Sequence, residues 1–188
     1  MMKRIALIVW MATAIAHGSE APRKLTVCVR GETVDRPFVR PAAQALAAKM
    51  FADIGISLEW RKWKPADESS QTSIVIELTS GTPENFKPGA LGYATPHEGR
   101  HINVFLDRIG TMEHPEAVLA HVMAHEITHV LQGVCRHSAT GLMKAHWTRH
   151  DLSEMRCKPL HFTQEDLILL YHGLATRIGS TDTPFVAR

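Results

Sequence analysis

The sequence predicts an α+β fold: a mixed, twisted sheet packed on one buried helix, with a small helical part at the C-terminal end. Three observations predict it. Short apolar or alternating runs recur at Leu25–Val29, Ile56–Trp60, Ile74–Leu78, Leu91–Ala94 and His101–Leu106, the pattern of strands. One longer stretch, Ala117–Leu131, is apolar on nearly every side, which marks a helix without a solvent face. The chain has 188 residues, enough for a single domain with a real core.

Residues 1–16 read as a signal peptide rather than part of the fold. Lys3 and Arg4 form a short positive start. Ile5–Ala16 is an apolar run too short to span a membrane as a helix, which takes roughly 20 residues. Ala14-Ile15-Ala16 has the small-x-small form of a cleavage site, with Gly18 as a second choice. The expected location is secreted or periplasmic, with no membrane contact after cleavage. The formal net charge is +2, and Lys3 and Arg4 leave with the signal. The remainder is then neutral, which gives no ground for a nucleic-acid or anionic-membrane partner. There is no internal repeat, and oligomeric state is not legible.

The folded domain is expected over residues 22–178. Leu25–Val29 opens it as a strand. Val39 to Ile54 is a helix, with Ala42, Leu46, Ala47, Met50 and Phe51 at helical spacing and Gly55 as C-terminal cap. Ile56–Trp60 alternates as a second strand. Lys64–Ser73 is polar and reads as a loop. Ile74–Leu78 is apolar enough to be a central strand. The Gly- and Pro-rich stretch Ser80–Gly89 is a long loop. Two strands follow, Leu91–Ala94 and His101–Leu106. His97 and His101 read as surface or cleft histidines. Residues 179–188 are expected to be a flexible tail.

Glu113-His114-Pro115-Glu116 starts the buried helix, with Pro in the first turn and Glu complementing the positive end of the dipole. Inside it lies His125-Glu126-Ile127-Thr128-His129. Residues four apart share a helix face, about 5–6 Å from each other. Two imidazoles so placed can grip one Zn2+, while Glu126 points toward an open metal position and can act as base. Such a set inside an apolar helix is costly unless something binds it. His121 lies on the same face one turn earlier; taking it as a ligand would leave Glu126 outside the pair, so it reads as packing. A third ligand must come from beyond Gly133, where the helix ends. His137 follows four residues later, then Gly141-Leu142-Met143. Thr163 caps a last helix whose first turn carries Glu165 and Asp166.

The chain has three cysteines. An oxidising compartment permits a disulfide. Cys135 and Cys157 flank the loop after the buried helix, where a bridge would staple it. The pairing is open, and one thiol is left over. Cys28, in the first strand, reads as a small buried residue; a thiolate plug on the metal is the sharper alternative.

His125-Glu126-x-x-His129-x-x-x-Gly133-x-x-x-His137-Ser138, with Met143 shortly after, resembles the metzincin branch of the zincin metallopeptidases. The His-Ser pair and Gly-x-Met look most like matrixins. One residue is added before the glycine and one between it and the last His. Most of the chain also resembles small secreted bacterial proteins of unassigned function, through Gly55-Ile56, Val104-Phe105 and Trp147. The resemblance implies a zincin-like fold and an exported zinc endopeptidase acting on a peptide or protein substrate. It implies His125, His129 and His137 as ligands, Glu126 as general base, and Met143 as the Met-turn floor. Glu165, or His146 with His150, remain alternatives to His137; with Trp147, these two histidines also read as cleft or surface residues. It further implies that the His101–Leu106 strand is the shelf for a substrate strand. A non-catalytic, zinc-stabilised binding module is the other reading.

Overall fold

The structure, a computed structural model, describes residues 23–31, 37–69 and 73–179. The expected signal peptide and the tail beyond Gly179 lie outside the described residues.

Five strands form one mixed sheet in the order β2-β1-β3-β5-β4. They are β1 (Arg23–Gly31), β2 (Ile56–Lys62), β3 (Ile74–Thr79), β4 (Gly92–Ala94) and β5 (His101–Phe105). The first four in that order are parallel, and β4 runs antiparallel to β5 as an edge. Strand alternation sends Leu25, Val27 and Val29 of β1, Ile74 and Ile76 of β3, and Ile102 and Val104 of β5 into one core. On that side lie helix α1 (Val39–Ala52) and helix α3 (Pro115–Gln132). Val39, Ala43, Ala47, Met50 and Phe51 are the buried stripe of α1. Ala42, expected in it, is exposed.

Helix α3 is buried at every position from Ala117 to Gln132, as its all-round apolar sequence requires. It starts at Pro115, after His114 in the left-handed region, and is capped by Gly133 at φ 67°. Its central position makes it the platform for every other element near the site.

Three local readings change. Leu106 is not the end of β5 but the start of a short helix, α2 (Leu106–Ile109). The polar stretch after β2 contains a 3-10 turn, Pro65–Ser69. Helix α4 (Arg149–Met155), a stretch read from sequence only as bearing cleft or surface histidines, is set by a Thr148/Asp151 capping box. The last helix, α5 (Gln164–Gly179), begins as expected: Asp166 N–H donates to Thr163 Oγ1 at 3.2 Å and Thr163 N–H to Asp166 Oδ2 at 2.9 Å.

Helix α5 crosses the C-terminal end of α3 at Gly173. A Cβ there would sit 1.6 Å from the Leu131 carbonyl oxygen, so the two backbones touch because the side chain is absent. Gly173→Ala must push α5 off α3. The expected loss is about 1–3 kcal/mol or more, the range for an overpacked core, read as a lower urea midpoint at unchanged slope.

Candidate metal centre

Three imidazoles meet above the C-terminal half of α3. His125, His129 and His137 each offer one ring nitrogen, and these atoms all lie within 4.8 Å of one another. The Nε2 of His129 is 3.0 Å from that of His125 and 3.3 Å from that of His137. The other nitrogens of the first two rings are occupied. His125 Nδ1 meets the Leu142 carbonyl at 2.9 Å, and His129 Nδ1 meets the Val134 carbonyl at 3.1 Å. A carbonyl only accepts, so each Nδ1 carries the proton and each Nε2 of the neutral ring presents a lone pair. Lone pairs converging in this way repel each other unless a cation sits among them. Nitrogens bound tetrahedrally to Zn2+ at about 2.0–2.1 Å stand about 3.3 Å apart. The donor set and spacing fit that ion.

The chain after α3 holds the rings in place. Leu142 O accepts from His125 and also from Trp147 Nε1 at 3.2 Å. Trp147 sets its ring edge-on to His125, 5.6 Å between centroids. Met143 is fully buried, and its carbonyl accepts the Ser138 N–H at 2.7 Å. The Gly141–Met143 turn therefore braces both His125 and the His137 loop through its backbone. His137 itself is on the exposed side, leaving the cluster open to solvent there.

Glu126 is buried beside this cluster and faces β4. A Cβ on Gly92 would lie 3.5 Å from Glu126 Cγ, 3.1 Å from Val122 and 2.8 Å from the Asn103 carbonyl oxygen, so the edge strand comes down onto α3 only because residue 92 lacks one. The Ala94 N–H donates to the Glu126 carboxyl. Leu91 pairs with Phe105 and Thr95 with His101 through backbone hydrogen bonds. That register turns the N–H and C=O of Gly92 and Ala94 away from β5, toward the open edge.

Burial dominates the electrostatics. It pushes Glu126 up to about 8, with the Ala94 N–H pulling the other way. It pushes His125 down to about 3, helped by His129 and opposed by the Leu142 carbonyl. It pushes His129 down to about 4, opposed by the Val134 carbonyl. His137 is lowered by burial and then by His146 and Lys87.

The other sequence candidates fall elsewhere. His121 is fully buried and saturated: Nδ1–H donates to Ala117 O at 2.7 Å and Nε2 accepts the Leu160 N–H at 3.1 Å. Glu165 is ion-paired with Arg136. His146 and His150 do not join the histidine cluster. His101 lies 3.3 Å from Glu98. Cys28 is buried on the sheet face away from α3, against Asp67 and Ser73, so it is no plug. The possible Cys135–Cys157 bridge is not formed: both thiols are free and exposed. The loop is held instead by polar contacts of Arg136 and Ser138 to Asp166, which sequence reasoning missed. The shelf is also corrected. β5 is paired on both sides, by β3 and β4, so among the described residues the edge on this side of the sheet is β4 and not the His101–Leu106 strand.

The mixed sheet over a buried helix matches a zincin-like fold seen in solved structures. Among solved structures the chain is similar to the archaemetzincin of Methanopyrus kandleri, at 16% identity and TM-score 0.54, over 86% of this chain and 99% of that one. It is also similar to a zinc-dependent peptidase of Methanocorpusculum labreanum, at 15% identity and TM-score 0.52, over 77% of this chain and 99% of that one. At such identity the likeness carries the fold. No family model matches the chain, and no curated protein matches it.

The pKa directions set a pH dependence for metal-free protein. The unfolded chain takes protons on these imidazoles near 6.5, the folded one only near 4 and 3. Stability present above pH 6.5 is therefore lost as pH falls through the folded values. In chelator-treated protein, NMR titration is expected to place the His125 and His129 midpoints near 4 or below. Midpoints near 6.5 overturn the buried, carbonyl-locked geometry.

Proposed function

We propose that the protein is an exported zinc-dependent endopeptidase. The observation that carries this reading is the joint placement of three convergent Nε2 lone pairs and the Glu126 carboxyl under an open strand edge. Zn2+, held by His125, His129 and His137, would polarise the scissile carbonyl and lower the pKa of an attacking water toward ~7. Glu126 takes the water's proton and passes it to the leaving amine. A carboxyl held near 8 when metal-free keeps a proton readily, and a nearby cation draws it back toward ionisation.

The substrate in this reading is a peptide or protein. It adds as a strand to the free edge of β4, where the outward N–H of Gly92 and the C=O groups of Gly92 and Ala94 offer the ladder. Met143 serves as the turn beneath the site by bracing the His137 loop. His137-Ser138 and Gly141-x-Met143 remain the features that favour a matrixin-like branch. Export rests on the N-terminal residues 1–16. Among the described residues no helix is long and apolar enough to cross a membrane.

Purified protein beside Glu126→Gln tests the reading. Both are expected to bind about one zinc per chain. Cleavage of a mixed peptide library is expected from wild type only, with the variant down at least about 100-fold, as for loss of a general base. Zinc in both with cleavage in neither favours the non-catalytic binding module. No zinc in either sinks the proposal.

A second test concerns β4. Gly92→Ala should lift the edge strand from α3. Zinc stoichiometry is expected to stay the same while kcat/KM falls, since Gly92 touches Glu126 and not the rings.

A further inference from the structure

The carboxylate of Asp166 is buried. It belongs to α5, is fully inaccessible, and holds both neighbours of His137. Its Oδ1 accepts from Ser138 Oγ at 2.5 Å and from Arg136 Nη1 at 3.0 Å. Its Oδ2 is fixed by the Thr163 N–H at 2.9 Å, and its backbone carbonyl accepts Gln132 Nε2 at 3.1 Å. One residue therefore ties the last turn of α3, the start of α5 and both flanks of the third histidine to a single point.

The need for such a tie follows from the sequence. Relative to the metzincin spacing, this chain has two extra residues between its second and third histidines. A longer, exposed loop loses more conformational freedom when its end is fixed. No disulfide fixes it. Met143 O holds the Ser138 backbone, and Asp166 holds the side chains on either side of His137. Its negative charge also acts on His125 and His129 and favours cationic character there.

We infer that Asp166 is the positioning residue of the metal centre: through Arg136 and Ser138 it clamps the lengthened loop so that His137 presents its Nε2 to the ion. This rests on the zinc reading above. Asp166 touches neither ion nor substrate; it acts chiefly through His137.

The test is zinc affinity, measured by competition with a chromophoric chelator. Asp166→Asn is nearly isosteric, and its fold is checked by circular dichroism of the metal-free protein. It is expected to weaken zinc binding about 10–100-fold, the cost of losing a residue that orients a ligand. Ser138→Ala, which leaves the carboxylate in place, is expected to weaken it less and guards against a misfolded Asp166→Asn. In a His137→Ala background, Asp166→Asn is expected to have a much smaller effect, because the ligand it positions is gone and only its field on His125 and His129 remains. The absorption bands of the Co2+-substituted protein should shift in Asp166→Asn toward those of His137→Ala. Unchanged affinity in Asp166→Asn and Ser138→Ala overturns the clamp, and so does an equal loss with and without His137. Wild type that binds no zinc overturns instead the reading on which it rests.

Discussion

The His125 ring donates from Nδ1 to the Leu142 carbonyl, and that hydrogen bond makes two stretches of chain depend on each other. The helix supplies the ring; the turn after it decides which nitrogen carries the proton. The same arrangement recurs at His129 with Val134, and Ser138 N–H to Met143 O closes the loop between them. None of these contacts involves a charged group. They are ordinary backbone acceptors left over where the chain turns, used to fix a tautomer. A ring locked in this way loses little freedom on meeting an ion, so much of the ordering cost of the site falls on folding rather than on binding.

The apolar helix around the motif gives that lock its consequences. A His-Glu-His set on a solvated helix would ionise freely. Buried in α3, each group is pushed toward neutrality: imidazoles downward, carboxyl upward. The folded chain therefore holds three lone pairs and one protonable acid in a place where no net charge is stable by itself. A divalent ion changes the balance of all four at once.

The buried helix was legible because its apolar pattern has no gap, and the histidine spacing was legible because four residues make one turn. Strand positions could be read from alternation, but their order in the sheet could not. Leu91–Ala94 and His101–Leu106 both read as strands, and only pairing shows that the three-residue β4, not β5, is the edge on this side of the sheet. Helix α4 carries no apolar stripe long enough to register; its signal was the Thr148/Asp151 box. His137 came from a resemblance, since spacing alone left Glu165, His146 and His150 in play. Asp166 was read as an acid in a first turn. Thr163 three residues earlier read as the N-cap, but nothing local says that the same carboxylate reaches residues 136 and 138.

Among the described residues the buried acids are Glu126 and Asp166. One lies under β4 and the other in α5. Asp166 shares Arg136 with Glu165, so that cation is matched by an outer carboxylate and the inner one keeps part of its field for the rings. A divalent ion held by three neutral imidazoles would then face two carboxylates with different tasks. Asp166, saturated by hydrogen bonds and held below the usual carboxylate range despite its burial, stays ionised and still. Glu126, held by a single backbone N–H, is free to exchange its proton. Two buried carboxyls with opposite environments divide the work of holding charge and moving a proton, and the division follows from how many donors each one meets.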